Sequence, residues 1–136
     1  VLVSREKNTV TLEEEMNFLD AYIYLNKVRF RENLRVEKAI RTEAYHQQIA
    51  PLSLQMLVEN AIKHNVVSKE KPLVIRIAQE IDNYLSIENN VQEKVTFEKS
   101  TKVGLQNIMN RYRLLTEQPI EINKNADFFQ VRIPLL

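Results

Sequence analysis

The sequence predicts an α/β (α+β) two-layer sandwich, with three main helices on one face of a mixed, largely antiparallel sheet. Three observations lead there. Three separate runs repeat apolar residues at helical spacing, and several shorter runs alternate apolar with polar residues as half-buried strands do. The strand-like runs at 73–80 and 84–89 are separated only by Ile81, Asp82 and Asn83, which fits an antiparallel hairpin.

In chain order, residues 8–11 are polar and β-branched, a short strand or connector. Thr11 and Glu14 form a T-x-x-E capping box ahead of a helix over 12–30, whose apolar side is Met16, Leu19, Tyr22, Ile23 and Phe30. The acidic first turn suits the helix dipole. Residues 34–40 alternate as a half-buried strand, and 41–48 form a polar connection. Pro51 opens the next helix, where its missing N–H costs nothing. In the run LQMLVENAIKHN, residues 54–65, Leu54, Leu57, Val58, Ala61 and Ile62 make one buried stripe. A charged loop at 66–72 precedes the hairpin, and 91–102 is a short polar segment. Leu105, Ile108, Tyr112 and Leu115 mark a third helix over 105–115, on which Arg111 and Arg113 read as solvated. Pro119 ends it, and 120–122 with 128–133 form a last strand pair around 123–127.

Composition excludes several function classes. With 19 basic and 18 acidic residues, the formal charge of +1 gives no electrostatic case for nucleic acid or an anionic membrane. The absence of cysteine removes disulfides, a thiolate nucleophile and Cys-based zinc sites. No apolar run approaches the roughly 18 residues of a membrane span. There is a single glycine, Gly104, whereas loops that cradle phosphate usually need several.

The chemistry concentrates on the second helix. Glu59, Asn60 and Lys63 fall opposite its apolar stripe, with His64 at the border. A neutral amide oxygen such as that of Asn60 suits Mg²⁺, which takes few protein ligands and fills its shell with phosphate oxygens and water. Lys63 and His64 would project beside Asn60 toward phosphate charge, and Glu59 can polarise a water or a substrate proton. An ordinary amphipathic helix with a solvated face carries the same four residue types. His46 stands alone in a polar connection and reads as a surface or structural histidine.

The exact string narrows this. Glu59-Asn60-Ala61-Ile62-Lys63-His64, preceded by Pro51-Leu52-Ser53-Leu54-Gln55-Met56-Leu57-Val58, closely resembles the N box of the LytS-like sensor histidine kinases, P-L-L-L-Q-P-L-V-E-N-A-I-K-H-G. The run TLEEEMNFLDAYIYLNKVRF is similar to that family's S-L-E-E-E-L-x-F-L-x-x-Y-L-x-L-x-x-x-R-F, and the ending Val131-Arg132-Ile133-Pro134-Leu135 to its V-x-I-P-L. The resemblance implies the Bergerat ATP-binding fold, shared with gyrase B and MutL, where element order alone also allows a generic α+β domain. It implies that Asn60 holds the Mg²⁺ of MgATP, that Lys63 and His64 touch phosphate, and that Glu59 assists proton movement, which makes Glu59 and Lys63 the catalytic candidates.

Two further boxes are altered. Where the family's D-x-G-x-G places an Asp for the adenine amino group, this chain reads Glu88-Asn89-Asn90-Val91-Gln92-Glu93-Lys94, without either glycine. Asn89 takes the Asp position, and its carbonyl can still accept from adenine. A form like N-N-x-x-x-K occurs in a branch of the family, which brings Asn90 and Lys94 into the nucleotide set. Residues 91–102 correspond to the lid. Gly104-Leu105-Gln106-Asn107 is similar to the second half of G-x-G-L-x-N, with Lys102 in place of its first glycine. Lys102, Gly104, Leu105 and Asn107 then complete the nucleotide set: Gly104 would sit where the loop becomes helix, leaving free N–H groups for phosphate, and Asn107 would lie in the first turn.

The implied function is the catalytic, ATP-binding domain of a two-component sensor histidine kinase, with ATP and Mg²⁺ as cofactors. Residues 1–7 would be the end of a preceding dimerisation helix or linker, and 8–136 the ATP-binding domain. The phosphoacceptor histidine would lie on the protein's own dimerisation domain, outside this chain, because neither His46 nor His64 has that family's acceptor context. The other partner would be a response regulator, often of the LytTR type, and the location cytoplasmic. The fragment itself is expected to be a monomer without nucleic-acid or membrane contact. The missing glycines and Lys102 also fit a Bergerat-fold interaction module without nucleotide binding. A gyrase B- or MutL-like ATPase is the third reading.

Overall fold

The computed structural model describes residues 9–93 and 101–136, and the side chains of all of these except 101–103. Alternation along the strands sets the sheet. β2 (Leu34–Ala39), β4 (Leu73–Gln79), β5 (Tyr84–Asn90), β7 (Phe128–Pro134) and β6 (Glu121–Lys124) pair in the order β2-β4-β5-β7-β6. The β2–β4 pair is parallel and the other three are antiparallel. Leu34, Leu73, Ile75, Ile77, Leu85, Ile87, Val131 and Ile133 are buried. The register puts Ile77 opposite Ile87, and Ile87 opposite Val131, on one apolar face. On the other face Glu37, Arg76, Glu88 and Gln130 stand opposite one another across four strands, an alternation that suits water.

The helices cover the apolar face. α1 (Leu12–Phe30) starts at the expected capping box: the Thr11 hydroxyl accepts from the Glu14 N–H at 3.1 Å. Its Leu12, Met16, Leu19 and Ile23 point into the core. A two-stranded ribbon, β1 (Val10–Thr11) with β3 (Gln48–Ile49), ties the start of α1 to the segment leading into α2 (Ser53–His64). α3 is Thr101–Leu115. The two-layer arrangement expected from the sequence is therefore the one found, a mixed sheet under three helices among the described residues.

Several expected details differ. α2 begins at Ser53 and not at Pro51, because Leu52 takes a left-handed conformation, φ 64°, which a helix cannot include. Its amides are capped from another helix. Glu15 of α1 is 1 % exposed, and its carboxylate accepts from the N–H groups of Leu52 at 2.9 Å, Leu54 at 3.1 Å and Gln55 at 3.4 Å. α3 also reaches this corner. The buried Tyr112 hydroxyl accepts from the Ala50 N–H at 3.1 Å and lies 3.3 Å from Ser53 Oγ. Arg111, exposed as expected, also donates to the Pro51 carbonyl at 2.5 Å.

Burial raises the Tyr112 phenol above its usual range, against the lowering effect of its hydrogen bonds with Ser53 and Ala50. A group with a raised folded value contributes stability that is complete below the unfolded value and is lost as pH climbs toward the folded one. Tyr112→Phe leaves the Ala50 N–H buried without its acceptor and should cost about 1–3 kcal/mol at neutral pH. Urea denaturation checks this, and above about pH 10 the gap between the two proteins should narrow as the wild type loses the phenol's share.

Candidate functional site

α2 lies between the other two helices, and each of its sides meets a different neighbour. The expected stripe of Leu54, Leu57, Val58, Ala61 and Ile62 is buried against the sheet. Asn60 turns toward α3. A Cβ placed on Gly104 would stand 3.5 Å from Asn60 Nδ2 and 4.0 Å from Oδ1, so the chain's single glycine lies where α3 approaches this amide. Asn60 Nδ2 is buried and has no hydrogen-bond partner. A buried amide without a partner costs free energy unless a ligand satisfies it. The oxygen and nitrogen of such an amide exchange by a simple flip, so the same position can accept from or donate to a ligand.

Glu59 and Lys63, one turn apart, face α1 and not α3. They line a cleft of about 550 Å³ with Tyr22, Asn26, Arg29, Phe30 and residues at the end of α2. The Tyr22 phenol is raised above its usual range, first by burial and then by the Glu59 charge, with the Asn26 hydrogen bond opposing. The four residues expected to share one side of α2 are therefore divided, because 100° per residue separates the 59/63 pair from the 60/64 pair. His64 sits near Glu93, whose carboxyl is held below the usual range chiefly by the Lys124 hydrogen bond at 2.6 Å and its charge, and to a lesser extent by His64.

Over 70 residues the chain is 36 % identical to the sensor protein kinase HptS of Staphylococcus aureus strain USA300, and equally so to that of strain N315. The match covers 52 % of this chain and 14 % of HptS, so the chain spans a small part of these relatives. No family model matches. Among solved structures, the cytoplasmic segment of histidine kinase QseC superposes with a TM-score of 0.61 at 15 % identity, covering 94 % of this chain and 76 % of that one. A nucleotide-free catalytic domain of histidine kinase ThkA gives 0.61 at 14 % identity, over 93 % and 95 % of the two chains. The mycobacterial sensor histidine kinase MprB gives 0.54 at 12 %, over 93 % and 96 %. This is the fold of a histidine kinase catalytic domain.

On this kinase fold the other expected site residues fall as follows. Asn89 is buried on the helix-facing side of β5, opposite Ile75 and Phe129, and its Nδ2 donates to the Asn90 carbonyl at 2.9 Å. The Asn90 side chain is occupied in the frame: Oδ1 accepts from the Val74 N–H at 2.8 Å, and Nδ2 donates to the Pro72 carbonyl at 3.1 Å. α3 starts at Thr101, ahead of Gly104, which is thus inside the helix without a positive φ. A side chain there would meet Asn60 at ordinary contact distance, and no turn is involved. Asn107 lies in the second turn and is exposed, which corrects its expected place in the first; Leu105 is half-buried against the core. Lys102 is on α3, with its side chain outside the described set, and Lys94 lies outside the described residues. His46 is exposed at the end of a 3-10 turn, Thr42–His46, whose Ala44 is buried. No group of three metal-ligating side chains occurs among the described residues, and no helix there is long and apolar enough to cross a membrane.

Sequence reasoning passed over Asn65 and Gln92. Asn65 Oδ1 accepts from the Gln92 N–H at 2.8 Å while Nδ2 donates to Ala61 O at 2.9 Å. Gln92 Nε2 donates to the carbonyls of Val66 and Lys71, each at 2.7 Å. This clamp binds the end of α2 to the end of β5. Its one visible signal was Asn65 itself, where the N-box pattern has glycine.

The gap at Gly104 supports a discriminating pair of substitutions. Gly104→Ala meets Asn60 at ordinary contact distance and should stabilise α3 by about 0.5–1 kcal/mol. Gly104→Leu should displace the Asn60 amide. Thermal melts read the first effect, and the Asn60 side-chain NH₂ resonance, shifted in the Leu variant and nearly unmoved in the Ala variant, reads the second.

Proposed function

We propose that this chain is the ATP-binding catalytic domain of a sensor histidine kinase, and that MgATP binds along the α2–α3 side where Asn60 meets Gly104. The observation that carries the reading is the unpartnered, buried Asn60 amide beside the only glycine. Such a site fits a ligand rich in oxygens and a hard cation, because the amide offers an oxygen to Mg²⁺ or an N–H to phosphate. Magnesium bound there would neutralise phosphate charge. Asn89, on the same side of the sheet, would present its carbonyl to the adenine amino group.

Phosphoryl transfer depends on positioning and charge neutralisation more than on covalent help from the protein. On the sequence resemblance the exposed Glu59 would accept the proton of an incoming imidazole, with Lys63 one turn away, and both face the α1 cleft and not the Asn60 side. That imidazole would belong to the protein's own dimerisation domain in the homodimer, and a response regulator, of LytTR type on the sequence resemblance, would receive the phosphoryl group. The kinase relatives and neighbours support this over a module without nucleotide binding and over a gyrase B- or MutL-like ATPase.

Calorimetric titration with Mg²⁺ and a non-hydrolysable ATP analogue tests it. The account expects a Kd between about 1 µM and about 1 mM, weakened at least about tenfold by Asn60→Ala or by removing Mg²⁺. Absence of heat, with no competition by ADP, would overturn it. Incubation with radiolabelled ATP should leave His46 and His64 unlabelled.

A further inference from the structure

The outer face of α1 is apolar and uncovered. Phe18, Tyr24, Leu25 and Val28 are 64 %, 69 %, 68 % and 63 % exposed, on the side opposite the buried Met16, Leu19 and Ile23. Phe18, Ala21, Leu25 and Val28 follow three-four spacing, the seam of a two-helix coil. A surface helix ordinarily has one apolar side, and α1 has two. Contiguous apolar surface of this kind marks an interaction site.

The charges along α1 identify the occupant. The helix is acidic in its first turn, at Glu13 and Glu14, and basic in its last, at Lys27 and Arg29. A surface with acid at one end and base at the other is complementary to itself when reversed, which is the condition for a two-fold contact. We infer that the outer face of α1 binds a second copy of this chain, the two helices antiparallel. A two-fold axis near Ala21 and Tyr22 sets Phe18 against Leu25 of the second copy and Glu14 against its Arg29. Ala21 at the crossing lets the backbones approach. The axis leaves α3 and the Asn60 side uninvolved, while Arg29 also lines the cleft that holds Glu59 and Lys63.

Sedimentation velocity of the 136-residue chain, up to about 1 mM, tests the inference. The expected result is a reversible dimer whose Kd rises at least about tenfold in Leu25→Glu. Glu14→Arg and Arg29→Glu should each weaken it, and the double variant should recover to within about threefold of wild type. Circular dichroism and urea midpoints identify any variant that unfolds, and the recovery compares proteins that share the Glu14 change. A monomer throughout the range, or a double variant no better than the single ones, would overturn the antiparallel pairing.

Discussion

The carboxylate of Glu15 holds the start of α2, and the placement of every α2 side chain follows from it. A helix leaves its first N–H groups without partners, and the residue before α2 is Leu52, whose side chain has no oxygen to offer them. Leu52 also sits in the left-handed region, at a cost of order 1 kcal/mol. Glu15 offsets both. Its two oxygens take the N–H groups of Leu52, Leu54 and Gln55, and its negative charge lies at the positive end of the helix dipole. The Thr11–Glu14 box begins α1 one residue earlier, which is why Glu15 falls on the inner side.

With its start fixed there, α2 serves three neighbours at once. Its apolar stripe seals the sheet, Asn60 faces Gly104, and Glu59 with Lys63 faces the cleft beside α1. The glycine shortage has a physical answer in the same region. Where glycines would let loops approach each other by backbone alone, Asn65, Asn90 and Gln92 join the loop after α2 to the end of β5 through side-chain amides. The one position that kept glycine is the one where an added side chain would stand against Asn60.

Much of this was legible in the sequence, to different depths. The hairpin of β4 and β5, the capping box of α1 and the α2 stripe are local patterns, and each is found as read. Residues opposite the stripe were legible as polar, but their division between α1 and α3 depends on packing of distant elements and is invisible in a helical wheel. Glu15 looked like one more dipole-matching acid, because its partners lie 37 to 40 positions away. Arg111 is exposed as read, and only its bond to Pro51, 60 positions away, was hidden for the same reason. Gly104 looked like a loop end because glycine usually marks one; here it lies inside a helix and faces Asn60 of another.

Hydrogen exchange of α2 in the wild type and in Glu15→Gln tests the central claim most directly. The account predicts that the amides of Leu52, Leu54 and Gln55 exchange at least about tenfold faster in the variant, with β4 and β5 unchanged, and that affinity for the Mg²⁺–ATP analogue falls with them. Unchanged protection at those three amides would contradict it, and would place the anchoring of α2 in its apolar stripe alone.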